Sequence, residues 1–568
     1  MASKDLLEKL TEKLAGANFF RVKSKYGSDD YIRFSGYLTG KNTFEKATLL
    51  VCTKMDRPPI LFVDRSWFGK VAHVNKEGQF CYCQSNHVVF DVAFPVEQTL
   101  IYLDMAQSQW EKYVNLEVTD DIGKEIEAYW VSSRSIDLYL DLDGQQKRFD
   151  LRKGIKVNNN SHKDQVIVLS HDFKKTFKRL SVLPIFIGYK WESFLIRTFV
   201  FYLSGFPSQF CNPWPPDTLD TLIVWLSKFS KGQSKKVLSY VKKNNAEPAL
   251  LVFKFRDGQS ISCIAEPKKR FLNPIRSKSM LKSVDYRLLP VQVKNLSESS
   301  QHVHNMNGVV SLRDKDIVLV GCGTIGGYLA DGLVSAGGGI GKGTITVIDP
   351  DVLSIRNVGR HRLGYGYVGL NKAKALAQEL LRKNPAINIK VLRDDNELAV
   401  IPDLLIDSTG EEGVGRLLAQ KYNLLCDMLS VWIEDNGAVV STFFHSKGKV
   451  GCYDCLCRHS RSGIFKVLKN PPKVVLAGSC SDMYMPFSVA VSLFASAYAM
   501  TKVLQWAKGE SIVPLGVMII DSMFEPNSER ILFKYEHLCD ICQDLINREK
   551  TSDTSLPVFD VEIIRREL

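Results

Sequence analysis

The 568-residue chain lacks any uninterrupted run of about 20 apolar residues, the length that a membrane-spanning helix requires. Its opening, "MASKDLLEKLTEKLAG", predicts an amphipathic helix and lacks the continuous apolar core of a secretory signal peptide. Hydrophobic residues make up 45% and charged residues 24%, which excludes a collagen-like chain and disfavours a disordered one. We therefore expect a folded, soluble, cytoplasmic protein without a membrane partner.

No internal repeat or long low-complexity tract divides the chain, yet it is too long for one ordinary core. We expect an α/β and α+β multidomain protein with domains at 1–150, 151–290 and 291–568. The first combines a helix with aromatic and β-branched runs such as "YIRFSGYLTG" and "PPILFVD", which predict an antiparallel meander. The second is a basic α/β middle or linker domain without a motif. The third alternates strand, glycine turn and helix, which predicts a Rossmann-like parallel sheet.

Positive charge is concentrated in the middle of the chain. Residues 151–300 hold 26 Lys plus Arg against 10 Asp plus Glu, whereas the rest of the chain is slightly acidic. Such a block is able to attract nucleic acid, a membrane surface or an acidic protein, but a solvated face is the simpler interpretation. We regard nucleic-acid binding as the weakest of the functional alternatives.

Thirteen cysteines in a chain without an export leader indicate free thiols and metal ligands rather than disulfides. Two C-x-x-C pairs flank the later part of the third domain, and four thiolates suit a closed tetrahedral zinc site. The predicted Zn2+ ligands are Cys452, Cys455, Cys539 and Cys542. Cys457 remains either an alternative ligand or a bystander.

A glycine loop follows the apolar strand "DIVLV" and opens a helix. Gly321, Gly323 and Gly326 form a G-x-G-x-x-G pattern that lets the backbone approach a phosphate at a helix N-terminus. Cys322, inside the loop, is interpreted as a packing residue. Asp349 ends the next strand, where an acid is able to bind a ribose hydroxyl. These features alone do not distinguish NAD from ATP.

The stretch "DPDVLSIRNVGRHRLGYGYVGLNKAKALA", residues 349–377, closely resembles the superfamily of ThiF, MoeB and ubiquitin-activating enzymes. The resemblance implies an Asp-x-Asp of Asp349 and Asp351, with Asp349 on the ribose of ATP. It further implies that Asn357 and Arg360 contact the phosphates and that Lys372 balances charge at the α-phosphate. Adenylation brings a carboxylate against another anion, so cations around the phosphorus are chemically required.

One position departs from that family. Where its members commonly carry Asp-x-x-Asp, with the second acid near magnesium, this chain has "IDSTGEEG". Asp407 is present, Gly410 replaces the second acid, and Glu411 follows. Mg2+ ligation is therefore left open among Asp407, Glu411 and the ATP phosphates.

Cys480 lies in "AGSCSDMYMP", ahead of a long apolar helical stretch. It falls where single-domain ubiquitin-activating enzymes hold the cysteine that receives the activated carbonyl. A thiol at a helix start is able to have a lowered pKa, which favours the nucleophilic thiolate. The alternative is a small buried hydrophobic residue.

The first domain, with "HVNKEGQFCYCQSN" at residues 73–86, resembles ubiquitin-conjugating enzymes, particularly bacterial variants with His-Val-x-x-x-Gly-x-x-Cys. The spacing from Gly78 selects Cys81 as the thioester-forming nucleophile, whereas the eukaryotic His-Pro-Asn motif would point to Cys83. By the same resemblance Asn75 stabilises an oxyanion and His73 shapes the loop. The alternative for Cys81 is a half-buried strand residue.

Together the resemblances imply a bacterial fusion of conjugating-like and activating-like domains of the CBASS antiphage type. Such a protein adenylates a protein C-terminus, relays it through Cys480 and Cys81, and ligates it to a target lysine. The activated protein would be a CD-NTase, which makes cyclic oligonucleotides, or a ubiquitin-like protein, and the enzyme a homodimer. Two alternatives stay open: activation of a sulfur-carrier protein, or a catalytically silent first domain that only docks partners.

Overall fold

The computed structural model describes most of the chain, and the described residues separate into two compact units. One unit comprises residues 1–171 and 188–300, the other residues 172–187 and 301–568. The described residues are 4–22, 30–41, 43–83, 90–115, 121, 123, 125–130, 136–142, 149–158, 165–186, 192–211, 213–242, 247–268, 282–297, 310–462, 466–473, 475, 485–527, 530–548 and 558–565.

The α-helices and strands of the described residues are numbered in chain order. The helices are α1 Lys4–Gly16, α2 Pro95–Val114, α3 Ile126–Tyr129, α4 Phe173–Ser181, α5 Leu219–Phe229, α6 Lys231–Lys242, α7 Thr324–Ser335, α8 Lys372–Lys383, α9 Glu412–Tyr422, α10 Tyr453–Arg461, α11 Val489–Lys508 and α12 Asp540–Arg548. The strands are β1 Phe20–Arg21, β2 Tyr31–Gly40, β3 Thr43–Cys52, β4 Ile60–Phe62, β5 Gln79–Phe80, β6 Ile136–Asp141, β7 Phe149–Asn158, β8 Gln165–Ser170, β9 Glu192–Tyr202, β10 Ala249–Lys254, β11 Ser260–Pro267, β12 Tyr286–Asn295, β13 Ile317–Val320, β14 Ile345–Ile348, β15 Ile389–Leu392, β16 Leu404–Asp407, β17 Asp427–Glu434, β18 Val439–His445, β19 Leu515–Ile519, β20 Arg530–Leu532 and β21 Val558–Arg565.

The first unit begins with α1 and a five-stranded antiparallel sheet in the order β1-β2-β3-β4-β5. The predicted amphipathic helix and meander are thereby confirmed. Helix α2 starts at Pro95, where a missing N–H costs nothing, and buries Trp110. The ring of Trp110 packs edge-on against Trp67 and Phe80, with ring centroids 5.3 and 5.4 Å apart. This aromatic contact fixes β5, which runs directly into Cys81.

The first unit also contains a closed seven-stranded barrel in the order β10-β11-β12-β6-β8-β7-β9. Its strands run from Ile136 to Asn295, so the predicted boundaries at residues 150 and 290 each fall inside a barrel strand. In a closed barrel every strand satisfies its neighbours' backbone groups, so no strand edge is left open. The separation into three domains itself stays a prediction.

Two tryptophan side chains make the hydrogen bonds that hold α3 in place. Trp130 donates its indole N–H to the carbonyl of Ser262 at 2.6 Å. Trp214 donates to the carbonyl of Tyr129 at 2.9 Å. The two tryptophan rings also pack edge-on, with centroids 5.3 Å apart. These contacts hold α3 against the barrel, which matters because α3 and the residue before it line the site around Cys81.

The second unit contains a nine-stranded sheet in the order β15-β14-β13-β16-β17-β18-β19-β21-β20. Strands β13 to β17 pair in parallel, which confirms the predicted Rossmann-like α/β region. Strands β17, β18 and β19 then pair antiparallel. The carboxyl ends of β13, β14 and β16 lie at one edge, where such sheets bind ligands. Among the described helices, none is both long and apolar enough to span a membrane.

The bond from Trp130 to Ser262 provides a test of how the first unit is held together. Trp130 is 1% exposed. Replacing it with Phe keeps most of the ring but removes the donor, so the free energy of unfolding should fall by about 1 kcal/mol. Native-state hydrogen exchange of barrel amides against urea measures this change. The exposed Val224→Ala in α5 is the control, with an expected effect below about 0.5 kcal/mol. Equal protection in both variants would contradict the assignment.

Candidate thiol and nucleotide sites

Cys81 follows β5 and is exposed. Its backbone N–H donates to the carbonyl of His73 at 2.8 Å, and the intervening turn closes because Gly78 donates to the carbonyl of Asn75 at 2.9 Å. Gly78 has φ +86°, and a Cβ there would lie 2.5 Å from the carbonyl oxygen of Val63. The Gly-x-x-Cys spacing therefore has a steric cause, since only glycine fits this turn.

A cavity of about 280 Å³ opens beside the Cys81 thiol. Its lining residues are Phe68, His73, Asn75, Lys76, Glu77, Cys81, Glu125, Ala128 and Tyr129. Three of the side chains singled out from the sequence, Cys81, Asn75 and His73, are thus brought to one place. Cys83 is half-buried and does not line this cavity.

The amide side chain of Asn75 stabilises the turn through its oxygen. Oδ1 accepts from the N–H of Glu77 at 3.1 Å and from that of Gln79 at 2.9 Å. Over the described ranges of the chain, no hydrogen bond occupies Nδ2 of Asn75. The amide is consequently oriented by the backbone, with a donor left over at the edge of the cavity.

An acidic network surrounds His73, and the sequence did not reveal it. His73 Nδ1 lies 3.2 Å from Glu125 Oε1, and His73 Nε2 lies 3.8 Å from Asp121 Oδ2. Tyr129 accepts from the backbone N–H of His73 and donates to Glu125 Oε2. The Glu125 carboxylate raises the pKa of His73, against the opposing effect of burial. His73 is therefore part of a charged cluster, and its predicted role in shaping the loop stays a prediction.

The same cluster affects the thiol. Partial burial raises the pKa of Cys81, and the negative charge of Glu125 raises it further. Glu125 was missed because it is more than forty positions away in the sequence and belongs to no motif. The only local signal in the sequence is that Glu125, an acidic residue, precedes the buried Tyr129 by one helical turn.

A second cavity, of about 730 Å³, lies at the carboxyl edge of the parallel strands. Six of the residues predicted to bind or act on ATP line it: Gly321, Gly323, Asp349, Asp351, Arg360 and Lys372. Gly323 is the N-cap of α7, and a Cβ there would meet no atom within 4 Å. That open space and the helix N-terminus leave room for a phosphate.

The third glycine of the loop has a packing role. A Cβ on Gly326 would collide with the carbonyl oxygen of Gly321, and Gly326 does not line the cavity. Cys322 is fully buried, as a packing residue should be. His361, which the sequence did not single out, fixes the loop through a 2.9 Å contact between Nε2 and the carbonyl of Cys322. Leu363 donates to His361 Nδ1 at 3.0 Å, so the proton resides on Nε2, and burial lowers the pKa of His361 to about 4.

Asp349 holds the two loops of this edge together. Its carboxylate accepts the N–H of Cys322 at 2.7 Å and the N–H of Asp351 at 2.8 Å. Burial raises the pKa of Asp349, while these backbone donors oppose the rise. Lys372 donates to Asp351 Oδ2 at 2.8 Å, so the predicted Asp-x-Asp and lysine face each other at the cavity.

Arg360 also lines the cavity. Its Nη1 donates to the carbonyl of Met485 at 3.1 Å, and its guanidinium carbon lies 4.2 Å from the ring centroid of Phe487. Asn357 does not line the cavity: its Oδ1 accepts the N–H of Ser354 at 2.9 Å and caps a short 3-10 helix, Ile355–Asn357. A phosphate contact by Asn357 stays a prediction.

Asp407 and Glu411, the two candidate side-chain ligands of Mg2+, differ in whether they line the cavity. Asp407 is 3% exposed and lies outside the lining, where Oδ1 accepts the N–H of Thr409 at 3.0 Å and its hydroxyl at 2.7 Å. Burial raises the pKa of Asp407 to about 6. Thr409, Gly410 and Glu411 all line the cavity. Asp407 thus supports the loop, and Glu411 offers the accessible carboxylate.

Four buried sulfurs meet near the end of the sheet. The thiols of Cys452, Cys455, Cys539 and Cys542 all lie within 4.8 Å of one another. Cys452 Sγ is 3.8 Å from Cys455 Sγ and 3.6 Å from Cys539 Sγ. Tetrahedral zinc with Zn–S bonds of about 2.3 Å has sulfur–sulfur edges of about 3.8 Å, so the set fits that ion. Cys457 is buried beside this group but is not part of it.

Cys480, the predicted acceptor of the activated carbonyl, lies outside the described residues. The described chain on either side of it, Val475 and Met485, belongs to the second unit.

Comparison with known proteins gives consistent matches. The model of the ThiF family matches residues 299–527. A Pseudomonas aeruginosa (strain BWHPSA011 / Pa011) protein named ATP-dependent ubiquitin transferase-like protein Cap2 is 31% identical over 467 residues, covering 79% of this chain and 82% of that protein. An Escherichia coli (strain TW11681) protein of the same name is 24% identical, covering 83% and 86%. The molybdopterin-synthase adenylyltransferase of Escherichia coli (strain K12) is 31% identical over 27% of this chain and 63% of its own length.

The charge of Glu125 should be measurable at Cys81. Glu125→Gln removes a negative charge that disfavours the thiolate, so the pKa of Cys81 should fall. The pH dependence of Cys81 alkylation, followed by mass spectrometry of its peptide, reports the shift. Glu77→Gln is the matched control, because Glu77 lines the same cavity but does not affect that pKa. A profile that moves equally in both variants would refute the specific coupling.

Proposed function

The chain belongs to the family of ATP-dependent ubiquitin transferase-like proteins named Cap2, and from this premise we propose that it ligates a protein C-terminus to a lysine through two thioesters. As a family member it is an adenylating and transferring enzyme. The observation that carries the proposal is the cavity at the strand edge, where Lys372 and Arg360 face Asp349 and Asp351.

In the first step, the carboxylate of the protein substrate attacks the α-phosphorus of ATP, and pyrophosphate leaves. Gly321 and Gly323 allow the backbone to approach the phosphates, and Asp349 binds the ribose with the lone pairs that its backbone donors leave free. Lys372 and Arg360 supply positive charge as negative charge builds on the phosphorus. Mg2+, bound through Glu411 and the phosphates, would offset charge on the pyrophosphate.

In the next steps the acyl group moves between sulfurs. The thiol of Cys480 attacks the acyl adenylate, and AMP leaves; the thiol of Cys81 then displaces Cys480. A lysine amine of the target finally attacks the Cys81 thioester to form an amide. Asn75, oriented by its turn, offers Nδ2 to the oxyanion of that last step. One chain that carries both thiols gives them a high effective concentration.

For the substrate we propose the C-terminus of a CD-NTase in a CBASS operon, with a homodimer in the cytoplasm as the working form. Conjugation of a ubiquitin-like protein would use the same chemistry. The identity with a molybdopterin-synthase adenylyltransferase supports a second candidate, activation of a sulfur-carrier protein, in which Cys81 has no chemical role.

The four-cysteine set would hold a zinc ion. The sulfur spacing supports this assignment, and a closed site of four thiolates supplies folding energy rather than catalysis. Cys452 is the N-cap of α10 and Cys542 lies in α12, so the ion would tie these two helices together.

The relay is tested with the full chain, Mg·ATP, a candidate C-terminal substrate and cysteine variants. Cys81→Ala should accumulate acyl groups on Cys480, because the second acceptor is missing. Cys480→Ala should load neither thiol. Both should keep ATP–pyrophosphate exchange, since adenylation precedes sulfur chemistry. Intact-protein mass spectrometry at low pH detects the thioesters.

Cys83→Ala is the matched control and should behave like the unaltered chain. Conjugation that survives Cys81→Ala would overturn the role of Cys81 and favour a docking or sulfur-carrier function.

The metal assignment is tested separately. Cys539→Ser should lower bound zinc from about one ion per chain to nearly none and should lower the unfolding temperature of the second unit. Elemental analysis and calorimetry provide the two measurements. Cys457→Ser, which changes a buried cysteine outside the set, should keep the zinc. Full zinc content in Cys539→Ser would refute the site.

A further inference from the structure

The backbone around Cys322, in the middle of the glycine loop, is held by three side chains. The peptide group between Gly321 and Cys322 is held at both ends: its carbonyl accepts the hydroxyl of Ser408 at 2.8 Å, and its N–H donates to Asp349 Oδ2 at 2.7 Å. The carbonyl of Cys322, which begins the next peptide group, lies 2.9 Å from Nε2 of His361. The orientation of that second peptide group therefore depends on the histidine.

His361 is arranged to donate to this carbonyl. The side chain is buried, and its Nδ1 accepts the N–H of Leu363 at 3.0 Å, which leaves the ring proton on Nε2. Burial lowers the pKa of His361 to about 4, so the ring is neutral at physiological pH. His361 therefore acts on the glycine loop through one neutral hydrogen bond rather than through its charge.

The N–H of Gly323 belongs to the same peptide group as the carbonyl of Cys322. The two groups point in opposite directions, because the peptide bond that they share is trans. With the carbonyl directed at the buried His361, the N–H of Gly323 is directed away from it, and Gly323 lines the nucleotide cavity. No acceptor within the described ranges takes this N–H. It is therefore available to a phosphate oxygen.

The glycine at position 323 makes this orientation easy to lose. A half-turn rotation of the peptide group would change ψ of Cys322 and φ of Gly323, and would exchange the N–H for the carbonyl. Gly323 has φ −77° here, but glycine adopts positive and negative φ about equally readily. A Cβ at this position would meet no atom within 4 Å, so the space around Gly323 leaves the rotation open. The hydrogen bond from His361 opposes it.

We propose that His361 is a positioning residue for ATP, which holds the peptide group between Cys322 and Gly323 with its N–H directed at the phosphates. The inference rests on the proposed function, because it takes the glycine loop as the phosphate site. A rotated peptide would present the partial negative charge of a carbonyl to an anion, which weakens phosphate binding. Contacts to the ribose and the base use other groups and should be spared.

The test compares His361→Asn with His361→Gln in the full chain. The shorter Asn amide keeps an acceptor near Nδ1 for Leu363, whereas the longer Gln amide keeps a donor near Nε2 for Cys322. Calorimetric titrations with Mg·ATP and with adenosine give the two affinities. His361→Asn should bind Mg·ATP at least about tenfold more weakly, the effect of losing one hydrogen bond to a charged group. Its affinity for adenosine should stay within about twofold, and His361→Gln should keep both affinities within about threefold.

His445→Asn is the matched control. His445 lies in β18, is also a buried histidine whose pKa burial lowers to about 4, and does not line the nucleotide cavity. Its ratio of Mg·ATP affinity to adenosine affinity should equal that of the unaltered chain. His361→Phe is a second variant that fills the space of the imidazole ring and removes both hydrogen bonds. It should show the same selective loss of Mg·ATP as His361→Asn, and it replaces that variant if the Asn substitution prevents folding.

The outcomes separate the role of His361 from the proposed function. If the unaltered chain binds Mg·ATP no more tightly than adenosine, the phosphate site fails and the proposed function fails with it. If the unaltered chain prefers Mg·ATP but His361→Asn or His361→Phe keeps that preference, the role of His361 is overturned while the nucleotide site stands. The same holds if His361→Gln loses as much Mg·ATP affinity as His361→Asn, because the donor to Cys322 would then be irrelevant.

Discussion

The candidate nucleotide site depends on one buried carboxylate, that of Asp349. It accepts one N–H from the glycine loop and one from the Asp-x-Asp turn, and so joins two connections that leave different strands. Because the group is 5% exposed, each of these bonds is short and poorly screened. Asp351 is thereby held where Lys372 reaches it, and Lys372 opens α8. The position of the Lys372 ammonium group at the cavity therefore depends on the Asp349 carboxylate.

The site around Cys81 also depends on one local feature. There the backbone geometry of a turn has the role that the buried Asp349 carboxylate has in the other cavity. Gly78 closes a turn that no other residue fits, and the turn orients both Asn75 and the chain entering Cys81. Glu125, which directly precedes α3, places a negative charge beside His73. Since α3 is held against the barrel by Trp130 and Trp214, the middle of the chain contributes to the environment of the thiol without supplying a residue to it.

The features that could be predicted from the sequence are those formed by residues close together along the chain. The glycine loop, each C-x-x-C pair and the Gly-x-x-Cys turn are local patterns. The structure brings Gly321, Gly323 and Cys81 to the two cavities, whereas Gly326 packs inside its loop. The sequence did not reveal features that depend on contacts between residues far apart along the chain. Glu125 belongs to no motif, and its partner His73 lies far along the chain. The barrel is a further example, because it pairs β6 with β12, whose residues are about 150 positions apart.

The raised pKa of Cys81 is informative about the direction of the proposed relay. In exchange between sulfurs, the thiol of lower pKa is the better leaving group, and the acyl group accumulates on the thiol of higher pKa. Burial and the negative charge of Glu125 both raise the pKa of Cys81. A donor thiol with an ordinary or lowered pKa would therefore pass its acyl group to Cys81 with little return. The same carboxylate lies beside the cavity that an incoming lysine must enter, and its negative charge attracts an ammonium group. In the proposed relay, the carboxylate of Glu125 would therefore favour both the arrival of the acyl group and the approach of the amine.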